Sequence, residues 1–421
     1  MSHSHDSGGL AERARELDGG DPLAQYRSLF VGTEDGNEVL SYLDGNSLGR
    51  PLRRTAEDVR RFAEEEWGGR LIRGWDEKWL AEPFVLGDRL AEACLGAAAG
   101  QTAIADSTTV NLYKLIRAAV GMAGAERTEI VVDTDNFPTD RYIVEGIAAE
   151  RSLSVRWIDA DPATGVTTAQ AADAITERTA VVVLSHVAYR SGYIADAPAI
   201  TALAHEAGAL IVWDLCHSVG AVPVELDAWG ADFAAGCTYK YLNGGPGAPA
   251  FAYVASRHQE AFRQPIEGWM GRREAFEMAH GYEPAEGIRR FMSGTPPIFG
   301  MLPLRGMLEL IEEAGIGAIR AKSVALTEFA VEAHRELLEP LGVSLASPAD
   351  AAVRGGHVIL EHPAFRGLTQ VLWDGGVIPD FRAPQGLRLG LSPLSTSFAE
   401  TLRGIEAIRS ALVSTQTLAA R

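Results

Sequence analysis

Cysteine is scarce in this chain of 421 residues: Cys94, Cys216 and Cys237 are all it has. An odd number without metal-ligand spacing supports neither a disulfide framework nor a zinc site, and the apolar surroundings of Cys216 and Cys237 mark them as small core residues. Positive charge is in deficit as well. The 38 Lys and Arg face 56 Asp and Glu, a formal net charge of −18, and with no basic stripe to follow a phosphate backbone, nucleic acid is excluded as a partner. Long apolar runs are missing, so no segment is expected to span a bilayer. The start, Met1-Ser-His-Ser-His-Asp-Ser-Gly-Gly, lacks the charged and apolar regions of a signal peptide. The expectation is a soluble cytoplasmic protein that binds no metal and has no membrane partner.

What is present is a core-forming composition. Hydrophobic residues make up 47% of the chain, and its length argues for two domains. From Glu129 to Asp214 apolar, strand-like runs alternate with helical ones: strands at 129–133, 155–158, 180–185 and 210–213, helices at 141–151, 169–176 and 198–207. Such alternation predicts a mostly parallel sheet with right-handed crossovers. Further helices are expected from Pro51 to about Trp67, from Leu86 to Ala99 ending at Gly100, and from Asp106 to Met122. Leu71 to Phe84 has neither period. After Ile298 two long helices precede strands at 357–360, 377–381 and 387–391 and a last helix at 398–412.

One stretch carries the chemistry. Leu210-Ile-Val-Trp-Asp214 puts a carboxylate at the carboxyl end of a buried strand, where open α/β sheets bind ligands. A second apolar segment, 231–237, delivers Lys240 into the glycine-rich turn Tyr241-Leu-Asn-Gly-Gly-Pro-Gly247. An acid and a lysine so placed suggest pyridoxal phosphate: the lysine forms the Schiff base, and the carboxylate pairs with the pyridinium nitrogen. Arg388, alone in the apolar strand Gly386-Leu-Arg-Leu-Gly390, is costly unless paired, and a substrate carboxylate would be a bidentate partner. The hydroxyls of Asp106-Ser-Thr108-Thr109 open a helix, where they either cap backbone N–H groups or help hold a phosphate.

The flanks Asp214-Leu-Cys-His217 and Thr-Tyr239-Lys240-Tyr-Leu-Asn-Gly-Gly-Pro-Gly, with Tyr42-Leu-Asp-Gly-Asn46-Ser47-Leu-Gly, resemble the kynureninases, fold type I pyridoxal phosphate enzymes related to aspartate aminotransferase. The resemblance runs through most of the chain. It implies an α/β fold: a large domain with a mostly parallel seven-stranded sheet flanked by helices, and a smaller α+β C-terminal domain. The divisions expected are 1–60 beside the small domain, 61–297 and 298–421. It further implies hydrolysis of L-kynurenine to anthranilate and L-alanine by a homodimer whose active sites lie between subunits. Thr108 and Thr109 would hold the phosphate with Trp269, from a Gly-Trp-Met-Gly segment in which Met270 replaces a Phe. Phe137 would stack on the ring and Asp140 bond at its edge, Ser185 would contact the cofactor, and Thr295 would reach it or the substrate from the other subunit. Asn46 and Ser47 would lie over the site, and Arg388 would bind the substrate carboxylate.

Three roles stay open. His217 either hydrogen-bonds Asp214 or packs under the ring. Tyr239 is either a proton donor and acceptor at the leaving carbon or a packed strand-end residue. Trp75, or Trp79 in its place, would face the aryl ring. Animal kynureninases that favour 3-hydroxykynurenine carry His and Asn where this chain has Trp75 and Thr295, so kynurenine is the expected substrate. His186 reads as a surface loop histidine. A cysteine desulfurase needs a nucleophilic cysteine in the C-terminal third, and none follows Cys237. An aminotransferase, another lyase, or a non-catalytic binding protein on the same scaffold are the alternatives.

Overall fold

Runs of β-branched residues with no polar interruption form the centre of the molecule, as they must where both faces of a strand are covered. In the strand Thr179–Ser185, Val182 and Leu184 belong to one core and Val181 and Val183 to the core on the opposite face. This computed structural model describes residues 7–34 and 36–419, so the first six residues of the polar start lie outside the described residues. Seven strands make the large sheet: β1 Thr102–Ile104, β2 Glu129–Asp133, β3 Ser154–Ile158, β4 Thr179–Ser185, β5 Leu210–Asp214, β6 Phe233–Gly236 and β7 Phe251–Val254. Their spatial order is β1-β7-β6-β5-β4-β2-β3, and only β7 runs antiparallel to its neighbours. All the parallel strands therefore end on one side, and their following loops converge there.

A second sheet of four antiparallel strands, Asp380–Arg382, Gly386–Gly390, His357–Glu361 and Ser344–Leu345, packs with the helices Ile316–Leu337 and Phe398–Ala419. Leu10 and Ala14 of the first helix, Ser7–Gly19, join that core, and Ser41–Tyr42 pairs in parallel with Val377–Ile378. The helix Ile298–Ala314 packs instead in a core of the large sheet, through Met301, Leu304 and Leu308.

Some boundaries differ from expectation. The helix expected from Pro51 begins at Arg54, because the chain before it is extended: Pro51 O accepts from Val31 N at 2.9 Å and Leu52 bridges Phe30. The next helix, Glu82–Leu90, gives way to wide turns over Ala91–Leu95 and stops at Gly96, where φ is +54° and a Cβ would sit 2.7 Å from Glu225 Cα. Glycine at that position ends the helix before Gly100. The strand expected over 377–381 is split at Pro379, which has no N–H to donate to a ladder. The aperiodic stretch 71–79 is a 3₁₀ turn followed by a wide helical turn, Trp75–Trp79, whose two indoles meet edge to face at 5.3 Å. Neither element has the period of an α-helix.

Candidate active site

Lys240 lies in the turn after β6, fixed from both sides. Gly244 N donates to Thr238 O at 2.8 Å, and Gly49 N donates to Tyr239 O at 2.9 Å, so the Asp44–Gly49 loop docks on the lysine turn. Residue 49 must be glycine for that approach, since a Cβ there would lie 2.4 Å from Lys240 O. The buried Lys240 Nζ is 3.2 Å from His217 Nε2 and 5.9 Å from the centre of the Phe137 ring. Burial, then the charge of Lys240, holds the His217 imidazole well below its usual range, so the ring is neutral beside the amine.

Asp214 ends β5 with one oxygen accepting from Cys216 N at 2.8 Å. Ser185 Oγ lies 2.9 Å from Asn136 Oδ1 and 3.4 Å from Asp214 Oδ2, and with one proton it donates to one of them at a time. Asp140 is buried across from Asp214, with Oδ2 lacking a partner among the described residues. Burial first, and the facing Asp214 second, push its carboxyl well up. Thr108, Thr109, Phe137, Asp140, Asp214, Cys216, His217, Tyr239 and Lys240 line one cavity.

The hydroxyls at the helix Thr108–Met122 divide the two roles the sequence offers. Ser107 is the cap, accepting from Val110 N at 3.4 Å. Thr108 Oγ1 is left buried without a partner among the described residues. A hydroxyl donor at a helix N-terminus, a carboxylate at a strand end, an aromatic ring and a lysine around one cavity fit pyridoxal phosphate group by group.

Arg388 approaches from the smaller sheet, 1% exposed. Its partner is within the chain: Nη2 meets Asp380 Oδ2 at 2.7 Å and Ser47 Oγ at 2.6 Å, and Nη1 donates to Tyr189 O at 2.7 Å. With the Asn46 amide oxygen turned towards the guanidinium, it accepts from Nε at 3.1 Å. Four of five N–H groups are thus engaged, and one on Nη1 remains. The bidentate face expected to await a substrate carboxylate is shared with Asp380 and Ser47, because a fully buried guanidinium needs a standing counter-charge.

The sequence model of the class-V aminotransferases matches residues 93–358, and that of the kynureninase C-terminal domain matches residues 319–408. A kynureninase of Burkholderia pseudomallei (strain 1106a) is 43% identical over 407 residues, covering 95% of both chains. The chain belongs to the kynureninase family. A kynureninase of Pseudomonas fluorescens is 41% identical over 397 residues, 93% of this chain and 92% of that one. Among solved structures, an apo cysteine desulfurase from Thermococcus onnurineus NA1 superposes with a TM-score of 0.77 at 18% identity, covering 95% of this chain and 98% of that one. One from Escherichia coli gives 0.77 at 18%, covering 94% and 98%. These two likenesses concern the fold alone, which is the fold type I architecture of the kynureninase family.

Not every residue singled out from the sequence meets the cavity. Trp75 and Thr295 share a separate cleft of about 520 Å³, walled by Trp67, Leu71, Ile72 and Phe299. Trp79, the alternative to Trp75, lines it too but is buried. Trp269 is 40% exposed and its ring meets Phe276, not a cavity residue. His217 contacts Lys240 where a bond to Asp214 was one expectation. His186, expected at the surface, is buried between Trp213 and Trp229 with Nδ1 2.9 Å from Ser218 Oγ. Sequence reasoning missed Asp380 and His357. The argument that flagged Arg388, a polar residue in an apolar strand, applies equally to His357-Val-Ile-Leu.

Proposed function

We propose that this chain hydrolyses L-kynurenine to anthranilate and L-alanine with pyridoxal phosphate. The observation that carries the proposal is the convergence of Lys240, Asp214 and the partnerless Thr108 hydroxyl on one cavity, in a chain 43% identical to a kynureninase. Thr108 and Thr109 would hold the phosphate, Asp214 the ring nitrogen, and Phe137, Asp140 and Ser185 the ring and its edge. When bound, the cofactor supplies an electron sink for a carbanion at the substrate Cα. Arg388, with Asn46 and Ser47 beside it, receives the α-carboxylate on its remaining N–H and by displacing Ser47. Lys240 Nζ takes the Cα proton and returns it, with neutral His217 beside it to accept a hydrogen bond. Tyr239 keeps its phenolic proton, since burial first and the Cys237 thiol second raise its pKa. It is the candidate donor to Cβ after the Cβ–Cγ bond breaks.

The test is direct. Colourless apoprotein given pyridoxal phosphate should gain a yellow absorbance, and L-kynurenine should then yield fluorescent anthranilate without any added keto acid. Colour without anthranilate would point to an aminotransferase or another lyase; no colour would point to a binding protein.

The same reading makes the protein a cytoplasmic homodimer. The exposed apolar side chains around Trp75 and Thr295 support a subunit contact there, and no helix among the described residues is long and apolar enough to cross a membrane. Phe299→Asp should halve the sedimenting mass if that contact is used. It also divides the chain into a large domain over 61–297 and a small one over 298–421, with residues 1–60 beside the latter, although the helix Ile298–Ala314 packs on the large sheet.

A further inference from the structure

His357 opens one of the two inner strands of the smaller sheet and is fully buried. Neither ring nitrogen has a hydrogen-bonding partner of good geometry among the described residues, and the Arg190 backbone is a polar neighbour of the ring. Buried polar groups are ordinarily paired, and a native exception points to a ligand or a water. Its place is specific. In the antiparallel pairing Ile359 stands opposite Arg388 and His357 opposite Gly390, so His357 and Arg388 share the face turned to the site. Its ring meets that of His217 edge to face at 5.6 Å, and His217 reaches Lys240 Nζ at 3.2 Å. His357 therefore stands between the group proposed to bind the carboxylate and the group proposed to move the Cα proton.

Two more partnerless polar groups lie at the preceding residue, on the side that a Cβ at Gly356 would take. A Cβ at the adjacent Gly356 would meet the Tyr241 hydroxyl at 2.6 Å and Ser323 Oγ at 3.4 Å, and both oxygens are buried without partners among the described residues. A buried polar group without a protein partner is where an ordered water is found, and the His357 ring is such a group on the face turned to the site. Burial first, then the charges of Arg388 and Lys240, keep the His357 ring neutral. One nitrogen therefore keeps a lone pair that can accept from water.

We propose that His357 binds the water that the hydrolysis consumes, holding it on the face it shares with Arg388, within reach of a carbonyl two bonds from Cα. The proposal rests on the kynurenine reading above, which alone requires water as a second substrate. By accepting one hydrogen, the imidazole leaves an oxygen lone pair of the water free to face the carbonyl carbon.

The experiment separates water use from everything earlier in the reaction. Wild-type holoenzyme, His357→Phe and His357→Gln are compared for anthranilate release from L-kynurenine and for exchange of the Cα hydrogen of L-alanine in deuterium oxide, which needs no water addition. His357→Phe should lose about a hundredfold in anthranilate release, with alanine exchange and cofactor absorbance unchanged, and His357→Gln should recover part of the loss. Parallel losses in both reactions, or no loss in hydrolysis, would overturn the proposal. A high-resolution crystal structure of the wild-type holoenzyme guards against a variant that fails to fold: it should show an ordered water hydrogen-bonded to a ring nitrogen of His357, and an empty position there refutes the assignment. Wild-type enzyme that exchanges alanine but releases no anthranilate would sink the kynurenine reading itself, and this inference with it.

Discussion

Asp140, Asp214, His217 and Lys240 are buried around a cavity closed by their own chain, whereas the cleft of Trp75 and Thr295 is walled by Ile72 at 77% and Leu71 at 58% exposure. The first region is polar and enclosed, and burial sets the protonation of Asp140 and His217 there. The second is apolar and open, a surface that water covers poorly and that another surface would cover better. Under the proposed function the contrast would separate two jobs: chemistry where strand ends and glycine turns fix side chains rigidly, and selection among aryl rings at a wall the single chain does not close.

The sharpest way to test the enclosed half is Lys240→Ala. Turnover should fall by roughly 10⁴-fold or more, while far-ultraviolet circular dichroism stays unchanged because the turn is pinned by backbone bonds at Gly49 and Gly244. Borohydride treatment of cofactor-loaded wild type should label Lys240. A label on Lys114, which already pairs with Asp106 at 2.9 Å, would remove the cavity from the chemistry.

Arg388→Leu comes next. It removes a charged contact worth about 2–5 kcal/mol in a desolvated site, and it leaves Asp380 to its other cation, Arg382, whose Nε lies 2.6 Å away. Both kcat and KM should suffer, since the guanidinium orients as well as binds. Repeating the measurement in Asp380→Asn divides the two effects: a double variant no worse than Arg388→Leu alone makes Asp380 a counter-charge, and unchanged kcat/KM in Arg388→Leu makes the arginine purely structural.

The open cleft should answer in selectivity rather than rate. An indole at 75 and a short hydroxyl at 295 give a ring hydroxyl no good partner, which costs about 1–3 kcal/mol. Kynurenine should therefore exceed 3-hydroxykynurenine by roughly ten- to hundredfold in kcat/KM, and Trp75→His should narrow the gap. Equal values in the wild type would take Trp75 out of the ring pocket and leave Trp79 as the candidate.

The inner strands of the large sheet could be read from the sequence because they are apolar runs; β2 begins and ends at the residues the pattern marks, Glu129 and Asp133, whereas the short edge strand β1, Thr102–Ile104, is not marked by the pattern. Asp214 and Lys240 were legible because strand ends and glycine turns are written locally. What the sequence hid was long-range pairing. Nothing near Arg388 announces Asp380 as its counter-ion, which follows only from the register that sets the two opposite each other. His357 was hidden for the same reason, since its ring neighbour His217 comes from a distant element. Helix ends failed where a tertiary contact decided them, as at Gly96 against Glu225.

The smallest expected effect distinguishes the halves by pH. Asp133, at the end of β2, has its carboxyl pushed up to about 7, by burial first and by Asp135 second. Unfolded, it would titrate near 4. Between those values the folded protein holds a proton that the unfolded chain has released, so stability falls as pH rises from about 4 to 7. A group this buried should contribute on the order of 1–2 kcal/mol to that fall. Asp133→Asn keeps the shape and removes the titration, so the melting temperature of the cofactor-free protein, followed from pH 4.5 to 7.5, should decline less steeply than in wild type. Asp140, raised in the same direction, should keep some slope in the variant. Ile72→Ser, in the open cleft, touches no titrating group and should leave the slope as it was. Equal slopes in wild type and Asp133→Asn would mean that Asp133 is ionised in the fold and that the closed half of the site is wetter than its geometry indicates.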